Sequence, residues 1–400
     1  KKVRKGYIFF AIKGLKLNGE KFIDEAVKNG AAVIVCSSDC RYRNNYLPVI
    51  KTSNVRHSLS EISSKYYNLK PKNIIAVTGT NGKTSVSDLF FQILNLNNIP
   101  VASIGTLGIK YKNKIIKSDL TSPDTIFLHS TLQRLKKIGI ENVIIEASSH
   151  GLHQKRIDHI KLKAAIFTNL SQDHLDYHKT MRKYLKAKLL LFNKILPRGK
   201  KIICNKSEKE FLKLKKISKK RKLILKDIQS TEDKLKKISF LKLNEFQSKN
   251  LSMAIIASKI CNLKDKEIFE SLKKIKDVDG RVEHIKTFSN NIKVYIDFAH
   301  TPDALSKVLK ALRDSYGVKV SLVFGCGGDR DFKKRPEMAR IASSNCKKIY
   351  VTDDNPRNES PKKIRKEIIR NIKNKNVLNI GDRTKAIKTA ILNADPNEII

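Results

Sequence analysis

The stretch from Ile74 to Thr84 carries residues whose order suits the binding of a polyphosphate. Ile74, Ile75, Ala76 and Val77 are apolar and read as a buried strand; Thr78, Gly79, Thr80, Asn81 and Gly82 follow as a glycine-containing loop. Gly79 and Gly82 let the backbone bend and turn its N–H groups toward an anion. A helix predicted from Ser85 to Leu96, entered through Lys83 and Thr84, adds partial positive charge at its N-terminus. Lys83 is placed to reach terminal phosphates and the Thr84 hydroxyl suits Mg2+. The loop is shorter than the usual phosphate loop, because Val77 stands where the first glycine would be, and a plain strand-to-helix turn is the competing reading.

Three later stretches place polar groups where strands should end: Thr121 to Asp124, Glu146 to Gly151, and Thr168 to Asp176. Glu146, directly after the apolar run Asn142 to Ile145, is positioned to hold a nucleotide-bound Mg2+, or else is an exposed strand-end carboxylate. His174 is either a metal ligand or a hydrogen-bonded cap. In the next helix, Met181, Tyr184, Leu185, Lys188, Leu191, Phe192 and Ile195 share one face, so Lys188 interrupts an apolar stripe. Either its stem snorkels to water, or burial lowers its pKa from about 10.4 far enough to leave a neutral amine that CO2 can carbamylate. Further on, Arg330 and Arg357 follow glycine or proline turns at strand ends, as guanidinium forks for carboxylate or phosphate do.

The elements that must position these groups alternate along the chain. Residues 1–69 read as a small α/β unit, 70–245 as a central doubly wound parallel sheet, and 246–400 as a third, again parallel, α/β domain, with Asn205 to Phe246 a lysine-rich junction. Its strands are expected at Lys293 to Ile296, Lys319 to Phe324 and Lys348 to Val351. Four hundred residues with 40% hydrophobic content can build such cores. Lys and Arg number 82 against 38 Asp and Glu, a formal charge of +44. The lysines are spread evenly and lack interleaved aromatics, which argues for a solvated basic surface and against nucleic acid as partner. Six scattered cysteines without a CxxC pair fit reduced thiols in the cytoplasm. No apolar run is long enough to insert into a membrane. The chain begins at Lys1 without a Met and is expected to be part of a longer one.

Taken together the motifs resemble the Mur ligases, ATP-dependent amino-acid-adding enzymes of peptidoglycan synthesis. The resemblance rests on TGTNGKT (Thr78 to Thr84), EASSHGL (Glu146 to Leu152), NLSQDHLDYH (Asn169 to His178), Ala187-Lys188, DGR (Asp279 to Arg281), DFAHTPDAL (Asp297 to Leu305), GCGGDRD (Gly325 to Asp331) and DDNPR (Asp353 to Arg357). It implies a three-domain architecture with a central P-loop sheet and a Rossmann-like C-terminal domain, acting as a monomer. It implies that Gly79, Thr80, Asn81, Gly82, Lys83, Thr84, Asn250, Arg281, Asp297 and His300 bind ATP. Thr84 and Glu146 would hold one Mg2+, His174 and a carbamylated Lys188 a second, with Lys83, Glu146, His174 and Lys188 as the catalytic set. Thr121, Ser122, Ser148, Gln154 and Arg156 would bind a UDP-sugar dipeptide; Arg330, Asp354, Asn355, Pro356 and Arg357 would bind the incoming amino acid. Within the family the DNPR turn resembles the one that selects meso-diaminopimelate. Phe298 and Ser122 depart from the usual Tyr and Thr, and neither the uracil-side Ser nor the final KGHE motif is present. A folylpolyglutamate synthase of the same fold, a nucleic-acid-binding P-loop protein and a silent paralogue are the rival readings.

Overall fold

The computed structural model describes residues 3–14, 17–241, 243–318, 320–373 and 376–400. Lys1, at the start of the first expected domain, and Lys319, at the start of one expected strand, lie outside them. The chain opens with β1 (Ile8–Phe10), α1 (Ile23–Lys28), β2 (Val33–Ser37), β3 (Val49–Thr52) and α2 (Val55–Tyr66). These three strands form a parallel sheet over a small core of Ala11, Ile23, Ala26, Ile34 and Cys36.

The central body contains β4 (Asn73–Thr78), α3 (Lys83–Leu96), β5 (Val101–Gly105), β6 (Gly108–Tyr111), β7 (Lys114–Ile116), α4 (Thr125–Lys137), β8 (Asn142–Glu146) and α5 (Ser149–His153). It continues through β9 (Ala164–Phe167), α6 (Leu175–His178), α7 (Met181–Leu190), β10 (Lys201–Cys204), α8 (Phe211–Arg221), β11 (Ile224–Asp227), α9 (Gln229–Lys236), α10 (Glu245–Ile260) and α11 (Asp265–Ser271). The eight strands run in the order β11-β10-β9-β4-β8-β5-β6-β7. Ladders from β11 to β5 form the expected parallel sheet, and β6 and β7 add an antiparallel meander at one edge.

Side chains alternate across a strand, and β4 shows the consequence: Ile74 and Ala76 enter the core on one face of the sheet, Ile75 and Val77 the core on the other. The second core includes Leu251, Ala254, Ile255, Leu263, Ile268 and Val278. This core continues past the division expected at 245/246. The apolar face of α10 packs on α3, and the central body extends through Val278. The lysine-rich junction is likewise structured, supplying α8, β11 and α9; β11 pairs with β10 in parallel.

The remaining elements are β12 (Glu283–Thr287), β13 (Lys293–Ile296), α12 (Pro302–Tyr316), β14 (Val320–Phe324), α13 (Lys334–Asn345), β15 (Cys346–Val351), α14 (Pro361–Ile369), β16 (Val377–Asn379) and α15 (Arg383–Leu392). Strands β14, β15 and β16 form the expected parallel sheet. The strand at Lys293 does not join it but pairs antiparallel with β12. Local signals place the helices: Thr301 caps α12, with Pro302 in its first turn and Gly317 at its end.

One buried group makes stability pH-dependent. His129 on α4 is fully buried, and neither ring nitrogen makes a hydrogen bond of good geometry among the described residues. Burial, aided by the charge of Lys70 and opposed by the Asp158 carbonyl, pushes its pKa down to about 4 from 6.5. A depressed pKa contributes stability that is present above about pH 6.5 and lost as pH falls toward 4, here up to about 3 kcal/mol. His129→Leu should remove that part of the slope in urea unfolding between pH 7 and 4.5; an unchanged slope would refute the assignment.

Candidate active site

Strand β4 lies between β8 and β9, so the three carboxyl ends open onto one crevice. The loop leaving β4 takes φ of +151° at Gly79 and +87° at Gly82, which caps α3. A Cβ at Gly79 would lie 1.7 Å from Thr168 Oγ1, and one at Gly82 would lie 2.5 Å from Asn250 Oδ1. Backbone shape and close packing thus both demand glycine. Thr168 Oγ1 and Asn169 Nδ2 donate to the Asn81 carbonyl, at 2.6 and 3.1 Å. Asn169 Oδ1 in turn accepts from the Asn81 N–H at 3.0 Å. Thr80 Oγ1 lies 3.2 Å from the Tyr184 hydroxyl, so α7 and the end of β9 brace the loop.

Two lysine amines converge here. Lys83 Nζ donates to the carbonyls of Gly79 and Thr80 at 3.1 and 2.8 Å. Lys188 Nζ donates to the same Gly79 carbonyl at 2.6 Å and lies 4.3 Å from the Tyr184 ring centre. Lys188 is 1% exposed, so it does not snorkel. Burial first, and the Lys83 charge second, hold its pKa far below 10.5 against the attraction of Asp173. The helix carrying it passes at Leu191–Ile195 into a π-turn.

Glu146, 1% exposed, is no surface carboxylate. It accepts from Thr84 Oγ1 at 3.0 Å and from Thr106 N and Oγ1 at 2.8 and 3.2 Å. Burial raises its pKa, opposed by Lys83, the Thr106 amide, Thr84 and Arg281. His174, at φ +54°, lies 3.2 Å through Nε2 from Asp173 Oδ2. Burial, against the pull of Asp173, lowers its pKa to about 3. Asp173 also meets His300 Nε2 at 3.4 Å. Burial alone would raise this carboxyl, but the His300 hydrogen bond and the charges of His174, His300 and Lys334 hold it well below its usual range.

The third domain closes over the crevice. Asn81 Nδ2 donates to Asp303 Oδ2 at 3.0 Å, Gln172 Nε2 to Asp331 Oδ2 at 3.0 Å, and Arg330 approaches Asp176 at 3.7 Å. The Arg281 guanidinium stacks 4.8 Å from the Phe298 ring centre. Asp297 accepts from the amides of Val282 and Ala299, at 2.8 and 2.7 Å. The Thr121 hydroxyl is 3.1 Å from that of Thr106, linking this turn to the Glu146 end of β8. Ser122 Oγ donates to the Glu146 carbonyl at 2.7 Å and lies 3.0 Å from Ser148 Oγ. Arg156 donates to the Ser122 carbonyl and to Gln154 Oε1, both at 2.7 Å. All five residues expected to hold the sugar nucleotide are therefore contiguous.

The turn Asp354, Asn355, Pro356, Arg357 leaves β15 beside the glycines that leave β14. Gly328 N donates to the Asn355 carbonyl at 2.9 Å, and Arg357, at φ +49°, donates to the Gly328 carbonyl at 2.7 Å. Asp354 pairs with Arg383 at 3.4 Å. Arg330 thus reaches the central body, while Arg357 reaches the glycine loop after β14. Sequence reasoning missed Asp173, Thr106, Asp303 and Arg335. An acid next to a candidate ligand histidine would have been the signal for Asp173; no local signal marks the others. Arg335, 2% exposed, holds Glu359 beyond the turn at 2.9 Å and Glu367 on α14 at 2.6 Å. Because both glutamates are about one-third exposed and can rehydrate, Arg335→Ala should cost about 2–3 kcal/mol in urea unfolding, below the figure for a fully buried pair.

This geometry defines a P-loop ligase, and sequence comparison agrees. The chain matches the Mur ligase middle domain over residues 77–274, the Mur ligase glutamate ligase domain over 280–400 and the Mur ligase family catalytic domain over 1–67. It belongs to the Mur ligase family and is an ATP-dependent amide-bond-forming ligase. It is 39% identical to the UDP-N-acetylmuramoyl-L-alanyl-D-glutamate--2,6-diaminopimelate ligase of Rickettsia conorii, covering 100% of this chain and 88% of that one. A solved structure of an enzyme with that name superposes with a TM-score of 0.66 at 28% identity, covering 100% and 86%. Folylpolyglutamate synthase from Mycobacterium tuberculosis shares the fold with a TM-score of 0.68, at 15% identity and 86% and 91% coverage.

Proposed function

We propose that this chain joins meso-diaminopimelate to the γ-carboxylate of the D-Glu residue in UDP-N-acetylmuramoyl-L-alanyl-D-glutamate, using ATP. The observation that carries the reading is the meeting of Lys83, the Thr84–Glu146 pair, the His174–Asp173 pair and fully buried Lys188 in one crevice. The contiguous set from Thr121 to Arg156 and the Arg357 turn flank that crevice. The residues fit the metal expected of the family: Thr84 and Glu146 present hard oxygens, and a buried carboxylate at raised pKa gains from a cation. A second ion would be held by His174 and by Lys188 as a carbamate. Mg2+, when bound, neutralises charge on the phosphate oxygens.

The buried environment of Lys188 supports the carbamate. A neutral amine attacks CO2, a proton leaves, and the product is an anion beside the Lys83 ammonium. A buried base thus becomes a charge partner.

A carboxylate is a poor electrophile, so ATP must activate it. Its oxygen attacks the γ-phosphorus, ADP leaves, and an acyl phosphate remains, with the Lys83 ammonium neutralising the transferring group. The amine of diaminopimelate then attacks the acyl carbon, phosphate departs and the amine loses a proton. The contacts Asn81–Asp303 and Gln172–Asp331 bring the amino-acid side over the nucleotide side and exclude water from the acyl phosphate.

Phosphate release in the presence of the UDP-sugar dipeptide tests the reading. Turnover with meso-diaminopimelate and not with L-lysine is expected; equal turnover with lysine would overturn the amine assignment, and none with either would overturn the ligase assignment. Arg357→Lys removes the planar fork and should raise KM for diaminopimelate roughly 10- to 100-fold while changing kcat less.

A further inference from the structure

Away from the crevice, a second cluster of ligating side chains sits where the first domain meets the central one. His57 and Glu61 are one turn apart on α2 and share a face. His159 comes from the turn after α5, at φ +62°. The ligand atoms of these three residues all lie within 4.8 Å of one another. Two further bonds fix the turn to that helix face: Ser60 Oγ donates to the Asp158 carbonyl at 2.7 Å and Ser64 Oγ to the His159 carbonyl at 3.1 Å. The His57 and His159 rings are thereby held with centres 4.6 Å apart.

We infer that His57, Glu61 and His159 form a zinc site that clamps the first domain to the central body. His57 Nδ1 and His159 Nε2 are 3.4 Å apart. Two nitrogens bound to one tetrahedral Zn2+ at about 2.0–2.1 Å must stand about 3.3–3.4 Å apart, so the pair already has the spacing of a tetrahedral edge. A carboxylate third ligand with water in the fourth position completes a known donor set for this metal. Mg2+ and Ca2+, which prefer all-oxygen shells, are poorly matched. Glu61 also pairs with Lys65 at 2.8 Å, but that pair is exposed and weak enough to yield to a cation. Asp158, 3.6 Å from His57 Nδ1, adds negative charge at the rim.

The position gives the ion a consequence. Gln154 and Arg156 lie on the same turn as His159, and α2 belongs to the domain that packs over it. An ion at this junction ties the two together and steadies the turn against which the sugar nucleotide is expected to bind.

The test is a Zn2+ titration of the metal-stripped protein against a chromophoric indicator, with Mg2+ in millimolar excess to occupy the crevice. One equivalent should bind with Kd below about 10 μM, and Co2+ in its place should give the visible bands of a tetrahedral N/O site. His159→Asn keeps a residue that tolerates positive φ, and together with His57→Ala should weaken Zn2+ binding at least tenfold and abolish the Co2+ bands. Circular dichroism confirms that both variants fold. Wild-type Kd above about 100 μM, or unchanged binding in the folded variants, would overturn the site. Because the readout is metal binding, it stands or falls separately from ligase activity.

Discussion

Lys188→Ala is expected to lower ligase turnover by roughly 10²–10³-fold, the scale of removing one positioned electrostatic group from an enclosed site. Substrate KM should change little, because Lys188 faces the loop carbonyl of Gly79 and the Tyr184 ring. The diagnostic result is rescue. Deleting the side chain leaves a cavity beside Gly79 that a short carboxylate can enter, so formate or acetate should restore part of the rate if the working group is a carbamate. Rescue by a short amine instead would show that the free amine is the working form. Restoring turnover by raising bicarbonate in CO2-depleted wild type gives an independent check.

Lys83→Met should be as damaging, again roughly 10²–10³-fold in kcat, since its ammonium is expected to meet the charge that moves to the leaving phosphate. A second effect separates it from Lys188→Ala. The Lys83 charge is one of the causes that lower the Lys188 pKa, so its removal should let Lys188 retain its proton to higher pH. The residual activity of Lys83→Met should therefore rise with pH over a range where wild type is flat, and carboxylates should not rescue it. A flat residual profile would show that the two amines act independently. Lys83→Arg keeps charge but not shape: the loop carbonyls of Gly79 and Thr80 accept from a single amine at 3.1 and 2.8 Å, and a planar fork fits that geometry poorly.

The chemistry of the central crevice was legible because each part has a local signature. Apolar β4 followed by Gly79, Gly82, Lys83 and Thr84 can be read without a partner. Lys188 was conspicuous because a cation in an apolar stripe violates helix periodicity, and the structure encloses it. Glu146 is enclosed as well. Its position was written in the sequence, its burial in the crossing of β8 beside β4 and β5.

Relations between distant segments could not be read in advance. Asp173 matters because it touches both His174 and His300, 126 positions after His174 in the chain, and only domain closure makes that contact. The packing of α10 on the central core was not legible because a lysine-rich surface hides an apolar stripe. Leu251, Ala254, Ile255 and Val278 enter the central core whatever the composition around them. The meander of β6 and β7 and the antiparallel pairing of β13 escaped for a related reason. Apolar alternation specifies that a residue run is a strand, but hydrogen-bond partners across the sheet decide its direction. Residue types and spacing by themselves determined which groups could carry phosphate and amine chemistry in this protein. Which of them share one crevice, and which sit at the junction of His57, Glu61 and His159, was decided by long-range packing, because burial and proximity are properties of the folded chain and not of any stretch of it.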